Sequence, residues 1–566
     1  MIVLGVHHGH DSSASLMIDG ELVASIAEER LSRVKNDTSF PYKSIFACLE
    51  IAGISSEEID VVALPSLTHN YEFEAFFEIP PEIKIKRQSF KNLLKSKMFR
   101  KEIGSGDLPI YFQRYKLKSD CCVYYAGHHK SHAASAYFGS EVDRSTKSLV
   151  VSMDGRGEGI SSAVWLASGL ELNLLKSWPG SGSLGWAYGI ATEAMGWRHG
   201  SDEWKVMGLA PYGERQLGLL DKFVPGYKAG ELVRPVRGTK FKSWIERGGT
   251  HWHSDRAIEM SKSLNSVGME NYAAEIQGII EDSAVELVVP WLENTKTKNL
   301  LCAGGAFLNI KLNQRLWETN LLDFHWIYPD AGDAGLSVGA CYLASVDKFS
   351  EAKPVKSMYL GPKFSENQIE QILLSRGISY TKPKNLEVEV ANLLAKNKAI
   401  GWFQGSMEAG PRALGNRSIL MSPLRSENKD IINAKIKYRE GFRPFCPSIK
   451  EENASLYLQN FRLEQYMTTS FQATRLAIEQ TPAVVHKDNT MRPQMVSNKQ
   501  NPLYHRLLSE FEKVTGHGVL MNTSFNVKGE PVVCSPRDAI KCFFDTGLDA
   551  LVLDKFIVKK NVRPVH

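Results

Sequence analysis

The chain has 566 residues, too many for one hydrophobic core, so two or three domains are expected. Its hydrophobic (43%) and charged (23%) fractions are ordinary for a soluble globular protein. A net charge of +5 is small at this length and makes no case for nucleic acid. The eight cysteines include the neighbours Cys121 and Cys122 but no CxxC pair, which argues for reduced thiols and against a zinc ribbon or a disulfide framework. The N-terminus has no basic segment and no long apolar run, so neither a signal peptide nor a membrane anchor is expected. The expectation is a cytoplasmic protein with no nucleic-acid or membrane partner.

In chain order, Ile2 to His7 predicts a buried strand followed by the polar turn Gly9-His10-Asp11-Ser12-Ser13. Strands at Ala14 to Ile18 and Glu21 to Ala27 follow, joined by the hairpin signal Asp19-Gly20. A basic stretch from Lys84 to Lys101 reads as a solvated face, with binding of an acidic partner as the alternative. His128-His129-Lys130-Ser131-His132 puts two histidines four apart, on one face if the stretch is helical. Ser148 to Met153 predicts a strand, Asp154 to Gly159 a glycine-rich turn, and Ser161 to Ala167 a second strand. Two copies of strand, turn, strand suggest a duplicated α/β unit with a ligand between the halves, the layout of actin-like ATPases. Glu270 to Leu292 reads as a helix before a buried strand at Asn299 to Cys302. The turn Gly304-Gly305-Ala306-Phe307-Leu308-Asn309 lets the backbone approach a flat ligand, or simply joins strand to helix. Phe349 to Asn367 lacks periodicity and is read as the domain boundary, dividing the chain into 1–355 and 365–566.

Two sets of side chains carry the candidate chemistry. His128, His132, Asp154 and Asp333 could form a mixed nitrogen and oxygen shell for a divalent iron, manganese or zinc ion; the bland alternative is a hydrogen-bonded core. The two Asp-Gly turns are of a type that aims backbone N–H groups at anions. Beyond a strand at Ala399 to Phe403, Arg412, Arg417, Lys437, Arg439, Arg443 and Arg492 are interleaved with Gly and Pro rather than set at helical spacing. Guanidinium groups in such an array suit phosphate and carbamoyl oxygens better than a solvated helix face. Asn522, Ser524 and Asn526 end a strand with small polar groups fit for a nucleotide, or form an Asx-type turn.

These motifs together resemble the nodulation-protein-U type of O-carbamoyltransferases over nearly the whole chain. The resemblance rests on Gly9 to Ala14, Glu28-Glu29-Arg30, His128 to Ser135, Glu203 to Gly213, Gly304 to Asn309, Gly410 to Ser418, Arg443-Pro444-Phe445 and Asn522 to Asn526. It implies an actin-like N-terminal domain and a C-terminal α/β domain resembling threonylcarbamoyl-adenylate synthases. It also implies an ATP-dependent enzyme that makes carbamoyl-adenylate from carbamoyl phosphate and Mg-ATP, then passes the carbamoyl group to a hydroxyl of a small natural product. Iron(II) is the implied ion on His128, His132, Asp154 and Asp333. The implied catalytic set is His10 as base, Asp11 positioning it, and Lys35. Gly155, Glu203, Lys205, Gly304, Gly305 and Asn309 join the arginine set and Asn522, Ser524 and Asn526 as substrate and nucleotide contacts. A homodimer is compatible with the resemblance. Ala334 and Asn489 depart from the common pattern without removing a candidate ligand. The rival readings are an actin-like ATPase or kinase, and a tRNA threonylcarbamoyl-transfer enzyme. HxxxH and the arginine array count against the first; the small charge counts against the second.

Overall fold

The computed structural model describes residues 1–66, 116–118, 120–236, 241–246 and 249–560. The basic stretch from Lys84 to Lys101, and the part of the acceptor-facing insertion beyond Ser66, lie outside the described residues.

The first sheet begins with an antiparallel meander, β1 (Ile2–His7), β2 (Ser13–Ile18) and β3 (Glu21–Ala27). The short helix α1 (Glu28–Ser32) and α2 (Tyr42–Ala52) follow. Then β4 (Val61–Leu64) and β5 (Cys122–Tyr125) extend the sheet in parallel from β1. The order is β3-β2-β1-β4-β5. α3 (His128–Gly139) leads to a second sheet, opened by the meander β6 (Ser148–Gly157), β7 (Ile160–Ser168) and β8 (Glu171–Pro179). After α4 (Leu184–Ala194), α5 (Glu203–Leu209) and the long α6 (Met269–Thr295), β9 (Asn299–Ala303) joins β6 in parallel. α7 (Ile310–Trp317) and β10 (Phe324–Ile327) follow, so this sheet runs β8-β7-β6-β9-β10, the same topology as the first. α8 (Leu336–Phe349) packs on β1 and β2, α3 packs on β6 and β9, and the two helices pack on each other, so the pair fills the space between the sheets. That layer needs small residues. Ala133, Ala134 and Ala136 are fully buried, and a Cβ on Gly339 would lie 1.8 Å from the Ser131 carbonyl oxygen.

The C-terminal part is built on one seven-stranded mixed sheet. Its strands are β11 (Ile400–Phe403), β12 (Arg417–Met421), β13 (Cys446–Lys450), β14 (Gln494–Val496), β15 (Val519–Ser524), β16 (Ala550–Leu553) and β17 (Phe556–Lys559). The order is β14-β13-β15-β12-β11-β16-β17, with apolar clusters on both faces. The strands are buried along nearly their whole length, polar residues such as Arg417, Ser448 and Asn522 included, as a sheet covered on two sides requires.

The two parts are tied by side chains reaching into backbone. Arg30 Nη2 donates to the Gly410 carbonyl at 2.8 Å, and Arg33 donates to the carbonyls of Val532 (2.6 Å) and Pro531 (2.8 Å). Asn313 donates to Thr468 O at 2.7 Å, and Lys311 pairs with Asp488 at 2.7 Å. Among the described residues no helix is long and apolar enough to cross a membrane.

One expected turn is a strand instead. Asp154 to Gly157 continues β6, with a register shift between Met153 and Gly157, and the reversal is confined to Glu158 and Gly159, both at positive φ. A bulge re-aims the side chains around it.

Candidate metal centre and cationic cavity

His128 and His132 project from the first turns of α3, Asp154 from the bulged end of β6, and Asp333 from the short 3₁₀ turn Asp333–Gly335 that opens α8. One ligand atom from each lies within 4.8 Å of the others. His128 Nε2 is 3.1 Å from Asp154 and 3.8 Å from Asp333, and His132 Nε2 is 3.5 Å from Asp333. Both ring nitrogens of His132, Nδ1 of His128 and Oδ1 of Asp333 are buried without a hydrogen-bond partner. Such groups are costly to leave unsatisfied, and two imidazoles with two carboxylates are a donor set a divalent transition ion would satisfy. Burial pulls His128 down, but Asp154 and Asp333 outweigh it and lift the imidazole to about 9; Asp154 and Asp333 are held below the usual carboxylate range by the histidines, against burial.

His129 has a different job. Its Nε2 donates to the Ile160 carbonyl at 2.9 Å, so its Nδ1 accepts from Ser152 Oγ at 2.8 Å. Burial and the neighbouring His128 push it down to about 3, and it stays neutral. Two glycines shape the centre. Gly304, at φ 107°, passes so close to β6 that a Cβ would lie 2.3 Å from Met153 O. That contact brings the Gly305 N–H to 2.9 Å from Asp154 Oδ1, where it orients the carboxylate. At the turn expected to let backbone approach a flat ligand, the Gly305 N–H thus meets a protein carboxylate.

A single cavity of about 1490 Å³ runs from Asp154 and Asp333 to the C-terminal sheet. His10, Asp11, Lys35, Gly155, Glu203, Lys205, Gly305 and Asn309 line it, as do Arg412, Lys437, Arg439, Arg443, Arg492, Asn522, Ser524 and Asn526. Asn309 also caps α7 and exchanges hydrogen bonds with Gln277, so both ends of its amide are engaged. Glu203 accepts from the Gly200 N–H, and Lys205 pairs with Asp202 at 2.8 Å.

Arg417 and Gly304 are absent from the wall. Arg417 is fully buried, with its guanidinium 3.6 Å from the Phe403 ring centroid and its N–H groups given to the carbonyls of Gln404, Asn416, Pro362 and Gly405. Its Nη groups are spent on backbone carbonyls and its Nε is buried without a partner, so here Arg417 braces the loop and does not line the cavity. Gly304 likewise serves as a close-approach glycine.

The remaining cations converge. Burial pulls Arg412 and Arg439 down to about 9 and Arg443 to about 10, Arg412 further depressed by Arg492 and Arg439 by Arg443. Arg443 stacks 3.6 Å over Trp204 and pairs with Glu440; Arg439 lies over Phe445 and donates to Asn433. Arg492 donates to Cys446 Sγ at 2.9 and 2.7 Å. Lys437 is held well below the lysine range by burial and then by Arg439, and it donates to Ser524 and Asn526. So many cations with so few carboxylates make a wall for a polyanion.

At the other end His10 Nδ1 is 3.0 Å from Asp11, whose other oxygen accepts from Asn36 at 2.9 Å. Asp11 lifts His10 to about 10 against the pull of burial; Asp11 itself is lowered to about 2 by His10, again against burial. Sequence reading missed Asn36, Asp330 and Arg33, and quoted Arg30 only as part of a motif, without a role. The Asp-x-x-Asp spacing of Asp330 and Asp333 was the one local signal for Asp330.

Fold and cavity thus define a two-part α/β protein joining a candidate metal centre to an anion-binding wall. Residues 2–342 match the family described as carbamoyltransferase N-terminus, and residues 391–560 match carbamoyltransferase C-terminus. The chain is 33% identical to nodulation protein NolNO of Sinorhizobium fredii, over 98% of this chain and 79% of that protein. It is 34% identical to uncharacterized protein sll1178 of Synechocystis, over 99% and 97%, and 30% identical to uncharacterized protein MJ1058 of Methanocaldococcus jannaschii, over 99% and 100%. A solved HypF structure in its phosphate- and nucleotide-bound form aligns with 62% of this chain and 56% of that one at 11% identity and a TM-score of 0.34, too loose to carry an argument. The chain belongs to the carbamoyltransferase family and is a carbamoyltransferase enzyme.

Proposed function

We propose that this enzyme is an ATP-dependent O-carbamoyltransferase working in two half-reactions on one cavity. The observation that carries the reading is the continuity of that cavity, from the His128, His132, Asp154 and Asp333 cluster to the arginine wall. Residues 365–566 form the activating half, akin to threonylcarbamoyl-adenylate synthases, and residues 1–355 the transfer half. The repeated sheet topology supports an actin-like ancestry for the transfer half. The co-substrates are carbamoyl phosphate and Mg-ATP, and the acceptor is a hydroxyl of a small natural product. Eight free cysteines support a cytoplasmic setting, and we keep a homodimer as compatible.

The chemistry balances as follows. Water cleaves carbamoyl phosphate to carbamate and inorganic phosphate; a carbamate oxygen then attacks the α-phosphorus of ATP, and pyrophosphate leaves. Arg412, Arg439, Arg443 and Arg492 neutralise charge that builds on the phosphate oxygens, in a wall already organised before substrate arrives. Lys437 is fixed by Ser524 and Asn526 as a point donor among them. In the transfer half the acceptor hydroxyl attacks the carbamoyl carbon and AMP departs. His10, oriented by Asp11, takes the hydroxyl proton, and Lys35 supplies positive charge beside it. His128, His132, Asp154 and Asp333 would hold a divalent ion, iron(II) in our reading, and such an ion would supply Lewis-acid polarisation and charge neutralisation there.

The test is carbamoyl-phosphate-dependent exchange of labelled pyrophosphate into ATP. Wild type should exchange, and Arg443→Ala should lose about two orders of magnitude, as expected for a charge-assisted contact to a phosphate. The double variant His128→Ala/His132→Ala should lose bound transition metal, measured by elemental analysis, yet keep exchange. No exchange in wild type would sink the reading; metal loss that also abolishes exchange would make the two sites one.

A further inference from the structure

Asp330 lies in the cavity wall between the two sets of residues just described. It sits three residues before Asp333, and its backbone faces the turn before Arg412: a Cβ on Gly410 would come 3.3 Å from Asp330 Cβ. The residue is 7% exposed, yet among the described residues no hydrogen bond or ion pair reaches its carboxyl. Arg30, the cation that acts on it most, gives Nη2 to the Gly410 carbonyl instead. Its oxygens are not sealed among the buried unpartnered atoms but open on the cavity, so they are free to accept from a ligand donor placed there.

The other polar groups nearby narrow what that donor is. Arg412, Arg439, Arg443, Arg492 and Lys437 are donors without acceptor capacity, suited to oxygen atoms of phosphate and carbonyl. A carbamoyl group carries one feature they cannot read, its NH₂, which donates two hydrogen bonds and needs an acceptor. Asp330 lines the cavity three residues from Asp333 and beside the turn that leads to Arg412. We propose that Asp330 is the specificity-determining acceptor for the carbamoyl NH₂, distinguishing a carbamoyl group from an acyl group of the same shape. The inference rests on the two-half-reaction reading above.

Acetyl is the isostere, with CH₃ in place of NH₂, and a site built around a buried acceptor rejects it by leaving that acceptor unpaired. Burial lifts the Asp330 carboxyl to about 7, so the ionised acceptor becomes available near neutral pH and above. The test compares carbamoyl phosphate with acetyl phosphate as drivers of AMP and pyrophosphate formation, taking the ratio of their kcat/KM values. Asp330→Ala should lower that ratio by about ten- to a hundredfold, the worth of one hydrogen bond to a charged group. Asp330→Asn, which keeps an acceptor oxygen and nearly the same shape, should retain most of it. A ratio unchanged in Asp330→Ala overturns the inference, as does an Asn variant no more selective than the Ala variant. If Asp330 instead held a ribose hydroxyl, both drivers would slow together with a raised KM for ATP and the ratio would stand, which also overturns it. Wild type lacking any carbamoyl-phosphate-dependent AMP formation would remove the underlying reading and this inference with it, an outcome distinct from a retained ratio.

Discussion

At the scale of single residues, His10 illustrates how a neighbour sets what a base can do. Asp11 fixes the ring through Nδ1 and leaves Nε2 toward the cavity beside Gly200, where a Cβ would lie 3.5 Å from it. The same carboxylate stabilises the imidazolium and raises His10 to about 10. Because the folded value lies above the unfolded one, the pairing stabilises the fold fully below pH ~6.5 and that contribution is lost as pH rises through the folded value. Catalysis has the opposite slope, since only neutral imidazole accepts a proton. Carbamoyl transfer should therefore rise with pH through the alkaline range. Asp11→Asn should bring the limb down toward the ordinary imidazole value of about 6.5. The check is the pH profile of single-turnover transfer in the two proteins. Coincident profiles would take His10 out of the proton path.

At the scale of elements, the metal cluster depends on how closely β6 and α3 approach. A Cβ on Gly157 would fall 2.1 Å from the His128 ring, whereas one on Gly159 meets nothing within 4 Å and suffers only its φ of 88°. The two glycines are two residues apart and predict different failures. Gly157→Ala should displace His128, cost about 1–3 kcal/mol of stability through overpacking, and lower metal occupancy. Gly159→Ala should cost about 1–2 kcal/mol in backbone strain and leave the metal in place. Thermal unfolding with metal analysis on both variants decides it; equal metal loss would show that the turn, not the ring contact, holds the centre. The sequence located β6 and β9 within a few residues and left the helix at His128 conditional. It could not show that Asp154 sits on a bulged strand rather than a glycine-rich turn, because Asp-Gly-Arg-Gly-Glu-Gly has the composition of a turn and its pairing partner lies in β7.

At the scale of the whole molecule, α1 and its C-cap Arg33 tie the N-terminal part to the C-terminal part across the cavity rim. Arg33 gives two N–H groups to the carbonyls of Pro531 and Val532, and Arg30 gives one to Gly410. Loss of the Arg33 pair removes on the order of 2 kcal/mol of coupling between the parts, tempered by the partial exposure of that side chain. Arg33→Ala should speed proteolytic nicking of the connecting stretch 350–365 by roughly tenfold while each part keeps its own sheet intact. Limited proteolysis followed by mass analysis of the fragments measures this. A cleavage rate equal to wild type would mean that contacts such as Lys311 with Asp488 hold the seam alone.

From the amino-acid order alone came the class of enzyme, the HxxxH pair, the candidate aspartates Asp154 and Asp333, the arginine-rich second part and all three strands of the first meander. Those signals are local: side-chain period, turn residues and short motifs survive in a linear string. Only the tertiary structure separated Arg417, sealed against Phe403 and four carbonyls, from Arg412 and Arg443 on the cavity wall. It alone split His129 from its two neighbours, through Ser152 and Ile160 on other strands. Asp330 offered only its spacing from Asp333, since its place in the cavity beside Gly410 is set by packing across some eighty residues of intervening chain. Whether a donor is spent or free depends on groups distant in sequence, and so is decided by packing rather than by composition.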